Sequence, residues 1–162
     1  MKKIKIRTTA AISIIILSIL MLLLIVYSCA KREPAQSPAS DTLMEKINDQ
    51  FSELNINVER DAIGAENTTD WTKVEDFSIK KYKYGEYSEV GIFKLYSGVN
   101  AEYIKEILQK RILSLQENAE SLEALYIANN GEARSYGNYV YYAVHQEKDR
   151  IFKIIEDGLK TN

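Results

Sequence analysis

Side chains able to do chemistry are sparse in this chain. Its 162 residues include one cysteine, Cys29, and one histidine, His145. His145 has no serine or carboxylate partner at a spacing diagnostic of a nucleophilic triad, so it reads as a surface or strand-end histidine. Asp70, Glu75 and Asp76 lack the alternating Asp/Asn ligands, the glycine and the closing glutamate of a calcium loop, and read as a solvated segment. Glu86 and Glu89 are the surface carboxylates through which a small accessory enzyme or a solute-capturing protein could act. Asn67-Thr68-Thr69 matches a glycosylation sequon, a three-residue pattern of little weight. No catalytic constellation, metal-ligand set or cofactor motif is visible.

Cys29 sits in a pattern with a chemistry of its own. Val26-Tyr27-Ser28-Cys29 looks like a bacterial lipobox: an aliphatic residue, then a small one just before the cysteine. Such a cysteine takes a diacylglyceryl group on its sulfur and becomes the mature amino terminus. Tyr27 departs from the pattern, which favours a small or aliphatic residue there. The stretch from Thr8 to Ser28 carries no charge, and as a helix it would span roughly 32 Å, about the thickness of a bilayer's hydrocarbon core. Residues 1–28 are therefore a signal peptide ending at an acylated Cys29 or an uncleaved transmembrane anchor. Lys2, Lys3, Lys5 and Arg7 before the apolar run, against Lys31 and Arg32 after it, keep the amino terminus inside in both cases. The body is expected on the outer face of the cytoplasmic membrane, held stably if two acyl chains are attached.

Residues 1–28 hold four of the 21 basic residues and none of the 23 acidic ones, which leaves a net charge near −6 on the rest. An acidic body is a poor partner for nucleic acid or anionic lipid, both of which reward a basic face. It contains no cysteine, so a packed core must hold it together without disulfides. Residues 29–40 contain both prolines of the chain and read as a tether, with a single domain over 41–162.

Within that domain the periodicity predicts a helix over about 42–53, capped by Asp41 or Thr42, with Leu43, Met44, Ile47 and Phe51 inward. Residues 55–72 read as irregular, with Ile56, Val58, Ile63 and Trp71 as apolar hooks. Strands are expected at 74–83 and 88–96 around a turn at Gly85, the second apolar on both faces and so interior. Asn100 caps a long helix to about Asn118, with a bend or second piece to Ala128 and an apolar stripe of Ile104, Ile107, Leu108, Leu115 and Leu122. Glu132–Tyr136, a turn at Gly137-Asn138 and Tyr139–Val144 form a second hairpin, followed by a helix from about Glu147 to Lys160. After the N-terminal apolar helix, the expected architecture is α+β in the order α-β-β-α-β-β-α, with an antiparallel sheet of about four strands, two hairpins, and helices on one face.

Val90-Gly-Ile-Phe-Lys-Leu, the helix with Lys110-Arg111 and Leu115-Gln116, and Gly137-Asn-Tyr-Val-Tyr-Tyr-Ala-Val together resemble a family of small Gram-positive bacterial lipoproteins that carry one domain of unknown function. The resemblance covers roughly residues 58–160. It departs around Ser121 to Tyr126, where the Tyr-Pro pair common in that family is missing. It implies a shared fold, and brings no activity, cofactor or catalytic residue.

Tyrosine is the enrichment that calls for a reason. Alternation puts Tyr139 and Tyr141 on one face of their strand and Val140, Tyr142 and Val144 on the other, and both can be core only if helices cover both. Strand propensity alone explains most of this enrichment; the alternative, with helices on one face only, is that Tyr139 and Tyr141, together with Tyr82 and Tyr84, form an open face for a glycan or an extended peptide. Lys80, Lys81 and Lys83 make a local basic patch that could touch cell-wall phosphates or lipid headgroups, although its simplest role is to guard an edge strand against unwanted pairing. The expected function is that of a non-enzymatic, membrane-anchored domain binding an envelope protein or a wall polymer.

Overall fold

The computed structural model describes residues 37–59, 70–82 and 88–161, together with Met21. The apolar leader, Val26 to Cys29, the 67–69 sequon, the Gly85 turn, Tyr84 and Glu86 lie outside the described residues. No helix among the described residues is long and apolar enough to cross a membrane. Residues 37 onward form one compact unit.

The first helix, α1, runs Ser40–Asn48. It starts earlier than its expected caps and ends earlier than expected. Ala39 supplies no side-chain cap; instead the Ser40 N–H donates to Asp76 Oδ2 at 2.7 Å, so a carboxylate from a distant strand satisfies one of the orphan donors of the first turn. After α1 the chain turns at Phe51 and forms a four-residue strand, β1 (Leu54–Asn57). This strand falls where sequence reads irregular chain. Its Leu-Asn-Ile-Asn alternation is short and half asparagine, a weak strand signal. Pairing with β2 supplies what local propensity lacks.

A 3₁₀ turn at Trp71–Lys73 leads into β2 (Val74–Tyr82), which pairs with β3 (Glu89–Leu95). Helix α2 (Ala101–Glu117) is capped as expected, Asn100 Oδ1 accepting from the Glu102 N–H at 3.0 Å. The second piece is a separate helix, α3 (Leu122–Asn129), with Ser121 Oγ accepting from the Ala124 N–H. Strands β4 (Glu132–Tyr136) and β5 (Tyr139–Val144) follow, and Gly137 takes a φ of +59° in their two-residue turn, a conformation glycine adopts without penalty. Helix α4 (Lys148–Lys160) closes the fold.

The sheet has five strands rather than about four, in the order β1-β2-β3-β5-β4, with every neighbouring pair antiparallel. The helices do not lie on one face. Leu43, Met44 and Ile47 of α1 and Ile151, Phe152 and Ile155 of α4 pack on Val90, Ile92, Tyr139, Tyr141 and Ala143. Ile104, Ile107, Leu108 and Ile112 of α2 and Ala128 of α3 pack on Phe93, Leu95, Val140, Tyr142 and Val144. The reason lies in β3 and β5, the two central strands. Both are apolar on both faces, and only a helical layer on each side removes that surface from water.

Candidate functional site

The proposed tyrosine face is closed. Tyr139 and Tyr141 do share a side, as alternation requires, but both are buried under α1 and α4. The Tyr139 hydroxyl donates to the Pro38 carbonyl, and burial raises its pKa. The Tyr141 hydroxyl donates to Glu156 Oε1 at 3.2 Å; burial raises its pKa too, and the Glu156 carboxylate adds to the shift. Tyr82 is half-buried against the same core, and Tyr84 is outside the described residues. The expectation of an open binding row is thus overturned at its two central members, because helices cover the face it needed bare.

Tyr142, on the other side of β5, anchors a buried polar cluster. Arg111 of α2 makes a two-pronged contact with Glu89, Nε to Oε1 and Nη2 to Oε2, both at 3.0 Å. The Tyr142 hydroxyl donates to the same Oε1, and burial, then the Glu89 charge, raises its pKa well above the ordinary value. Gly91 makes room for this arrangement. It stands opposite Tyr142 in the register, and a Cβ there would come within 2.3 Å of Tyr142 Cε1. Glu89 is therefore no surface carboxylate: both its oxygens are engaged by fixed donors, which suits structure better than proton transfer.

The remaining candidates resolve into local roles. His145 follows β5 and is buried, edge-on to Phe51 with ring centroids 5.3 Å apart. Its Nδ1 accepts from the Glu147 N–H at 2.9 Å, and burial lowers its pKa. Asp70 caps the 3₁₀ turn, where the Thr72 hydroxyl lowers its pKa most. Glu75 pairs with Lys94 at 2.7 Å, and Asp76 receives the Ser40 N–H. Among the described residues no group of three or more His, Cys, Asp or Glu is placed to hold a metal ion. Lys80 and Lys81 do not guard an edge, because β1 pairs along that side of β2.

Two surface features remain. An open groove of about 380 Å³ lies between α1 and α4, lined by Lys46, Asp49, Gln50, Ile154, Asp157 and Thr161 among others. The second was missed in the sequence. Leu122, Leu125 and Tyr126 stand on one side of α3 at three- and four-residue spacing and are all exposed, Leu122 at 86%. Leu113 of the preceding helix is exposed as well. Leu122 therefore does not belong to the buried stripe of α2. A signal for this was present: Leu-Glu-Ala-Leu-Tyr-Ile-Ala-Asn has one charged residue and is apolar nearly all round, whereas a helix with one buried side needs only one apolar side. Ala124 and Ala128 fill the inner side, so the larger residues face out.

Comparison of the chain with protein-family models, with curated proteins and with solved structures returns no match.

Proposed function

We propose that this chain is a membrane-anchored, extracytoplasmic, non-enzymatic domain that binds an envelope protein through the outer side of α3. The observation that carries the reading is the exposed row Leu122, Leu125 and Tyr126 on a helix whose inner side is already satisfied by alanines. Large apolar side chains left together in water on a small domain mark a surface that another protein covers. The address comes from the uncharged run Thr8 to Ser28 and from Cys29, acylated or at the end of an uncleaved anchor.

The test is photo-crosslinking in cells from position 126, with and without Leu122→Glu. A specific heteromeric product reduced about tenfold by Leu122→Glu supports the reading, because central apolar anchors dominate such interfaces. The same products at the same yield would sink it. A second reading, solute capture by carboxylates, has the α1/α4 groove with Asp49 and Asp157 in its favour. Saturable binding of a small solute, abolished by Asp157→Asn, would move the assignment there.

A further inference from the structure

The two ends of the domain differ in a way that suggests how it sits on a membrane. The chain enters at one end. Pro38 is held by the Tyr139 hydroxyl and Ser40 by Asp76, and Tyr139 opens β5 directly opposite Tyr136 and Lys94. Three of the exposed aromatic residues stand at this end. Tyr136 closes β4, Tyr96 follows β3 with its N–H donating to the Lys73 carbonyl, and the Lys73 ammonium lies 4.2 Å over the ring of Tyr103. Their exposures are 44%, 51% and 38%.

We infer that this end docks on the headgroup–acyl boundary of a phospholipid bilayer through Tyr96, Tyr103 and Tyr136. The inference rests on the membrane-anchored reading above. Only residues 29–36 separate the domain from Ser28, and the nine steps from Ser28 to Ser37 reach at most about 32 Å whatever their conformation. The tyrosine end is therefore confined close to lipid at high effective concentration. Tyrosine suits that boundary, its ring entering the apolar side while its hydroxyl stays wet. Charge does not compete with this occupant. Lys73 pairs with Asp70 at 3.4 Å, Lys94 with Glu75 at 2.7 Å and Lys105 with Glu102 at 2.9 Å, and Asp76 adds a further negative charge beside Lys94, so the end has no cationic field with which to draw an anionic polymer.

The opposite end is the one that holds α3. Glu89 and Val144 pair at the far end of the central strands, Arg111 reaches Glu89 there, and α2 continues beyond Arg111 before the turn into α3. β3 alone spans roughly 20 Å. Docking of the tyrosine end thus points the Leu122 row away from the bilayer, towards the space an envelope protein occupies.

Trp71, the single tryptophan, belongs to the tyrosine end and serves as the reporter. The full chain is reconstituted into phosphatidylcholine vesicles containing a headgroup spin-labelled lipid, and flotation and tryptophan quenching are read on the same sample. The expected result is flotation with strong quenching of Trp71. Quenching falls about twofold in Tyr96→Ser/Tyr136→Ser and changes little with added salt, as an uncharged contact requires. A Trp71→Phe/Tyr126→Trp chain, which moves the reporter to the far end, is expected to float and to be quenched far less. Floating chains with equal quenching at the two ends, or no effect of the serine variants, would overturn the docking inference while leaving the anchor intact. Chains that fail to float would overturn the anchor on which it rests.

Discussion

Arg111 and Arg134 each serve a tyrosine of β5 from opposite sides of the sheet, and their settings could hardly differ more. Arg111 is 16% exposed in its side chain and holds one carboxylate, Glu89, which is more buried still and also receives the Tyr142 hydroxyl. Arg134 is 35% exposed and is shared among Glu132 at 2.6 Å, Asp149 at 3.0 Å and Glu156 at 3.8 Å, with its guanidinium 4.3 Å over the Phe152 ring. One cluster centres on a buried carboxylate that two fixed donors hold, Arg111 and the Tyr142 hydroxyl. The other is a redundant network at the margin, where water and a second acid can replace any lost partner. The same residue types on the two sides of one strand therefore carry different weight, and burial decides which.

The largest effect is expected from Arg111→Met, which strands the Glu89 charge and should cost about 3–5 kcal/mol in urea unfolding. Adding Glu89→Gln should recover part of that loss; a double variant no more stable than the single would contradict the pairing. Next comes Gly91→Ala. Its Cβ would meet Tyr142 Cε1 at 2.3 Å in a packed central strand, so about 1–3 kcal/mol should be lost, more if the ring cannot shift. Tyr142→Phe removes a donor to a buried carboxylate and should cost about 1.5–3 kcal/mol, whereas Tyr141→Phe, whose partner Glu156 is half-buried and has other contacts, should cost under about 1 kcal/mol. Arg134→Met should fall within about 1 kcal/mol of wild type by the same measurement. Equal losses for the two tyrosines would erase the contrast between the faces.

Acid should act on the α1/α4 side of the sheet, where His145 and Glu132 both lie. His145 has a lowered pKa in the folded chain. The unfolded chain therefore takes up a proton that the folded chain resists, and stability declines as pH falls below about 6.5. Glu132, held down to about 2 by the Arg134 hydrogen bond first and then Lys148, contributes stability that is present above about 4.5 and lost as pH falls from there towards 2. A pH series of thermal melts should show the upper step vanish in His145→Phe and the lower one shrink in Glu132→Gln. A profile flat across both windows would contradict these assignments.

Much of this architecture was legible residue by residue. The cap at Asn100, the Gly137 turn and the alternation through β5 are read from a few neighbours, because they depend on local hydrogen bonds and on the two-residue period of a strand. β1 was not legible. Its Leu54-Asn-Ile-Asn run has no propensity to speak of and exists because β2 offers an unpaired edge. The start of α1 was missed for a similar reason, since the acceptor of its Ser40 N–H lies 36 residues away in Asp76.

The amino-acid sequence by itself determined most of the elements though not β1, the uncharged run ahead of Cys29, the absence of cysteine from the body, and the fact that Tyr139 and Tyr141 must part from Tyr142. Only the tertiary structure decided that neither of those sides meets water. That choice depends on where α1, α4 and the Pro38 segment come to rest, and such packing is a property of distant segments burying apolar area together rather than of any local pattern. It closed the tyrosine row that alternation offered, buried Glu89 beneath Arg111, and left the Leu122 row of α3 open instead.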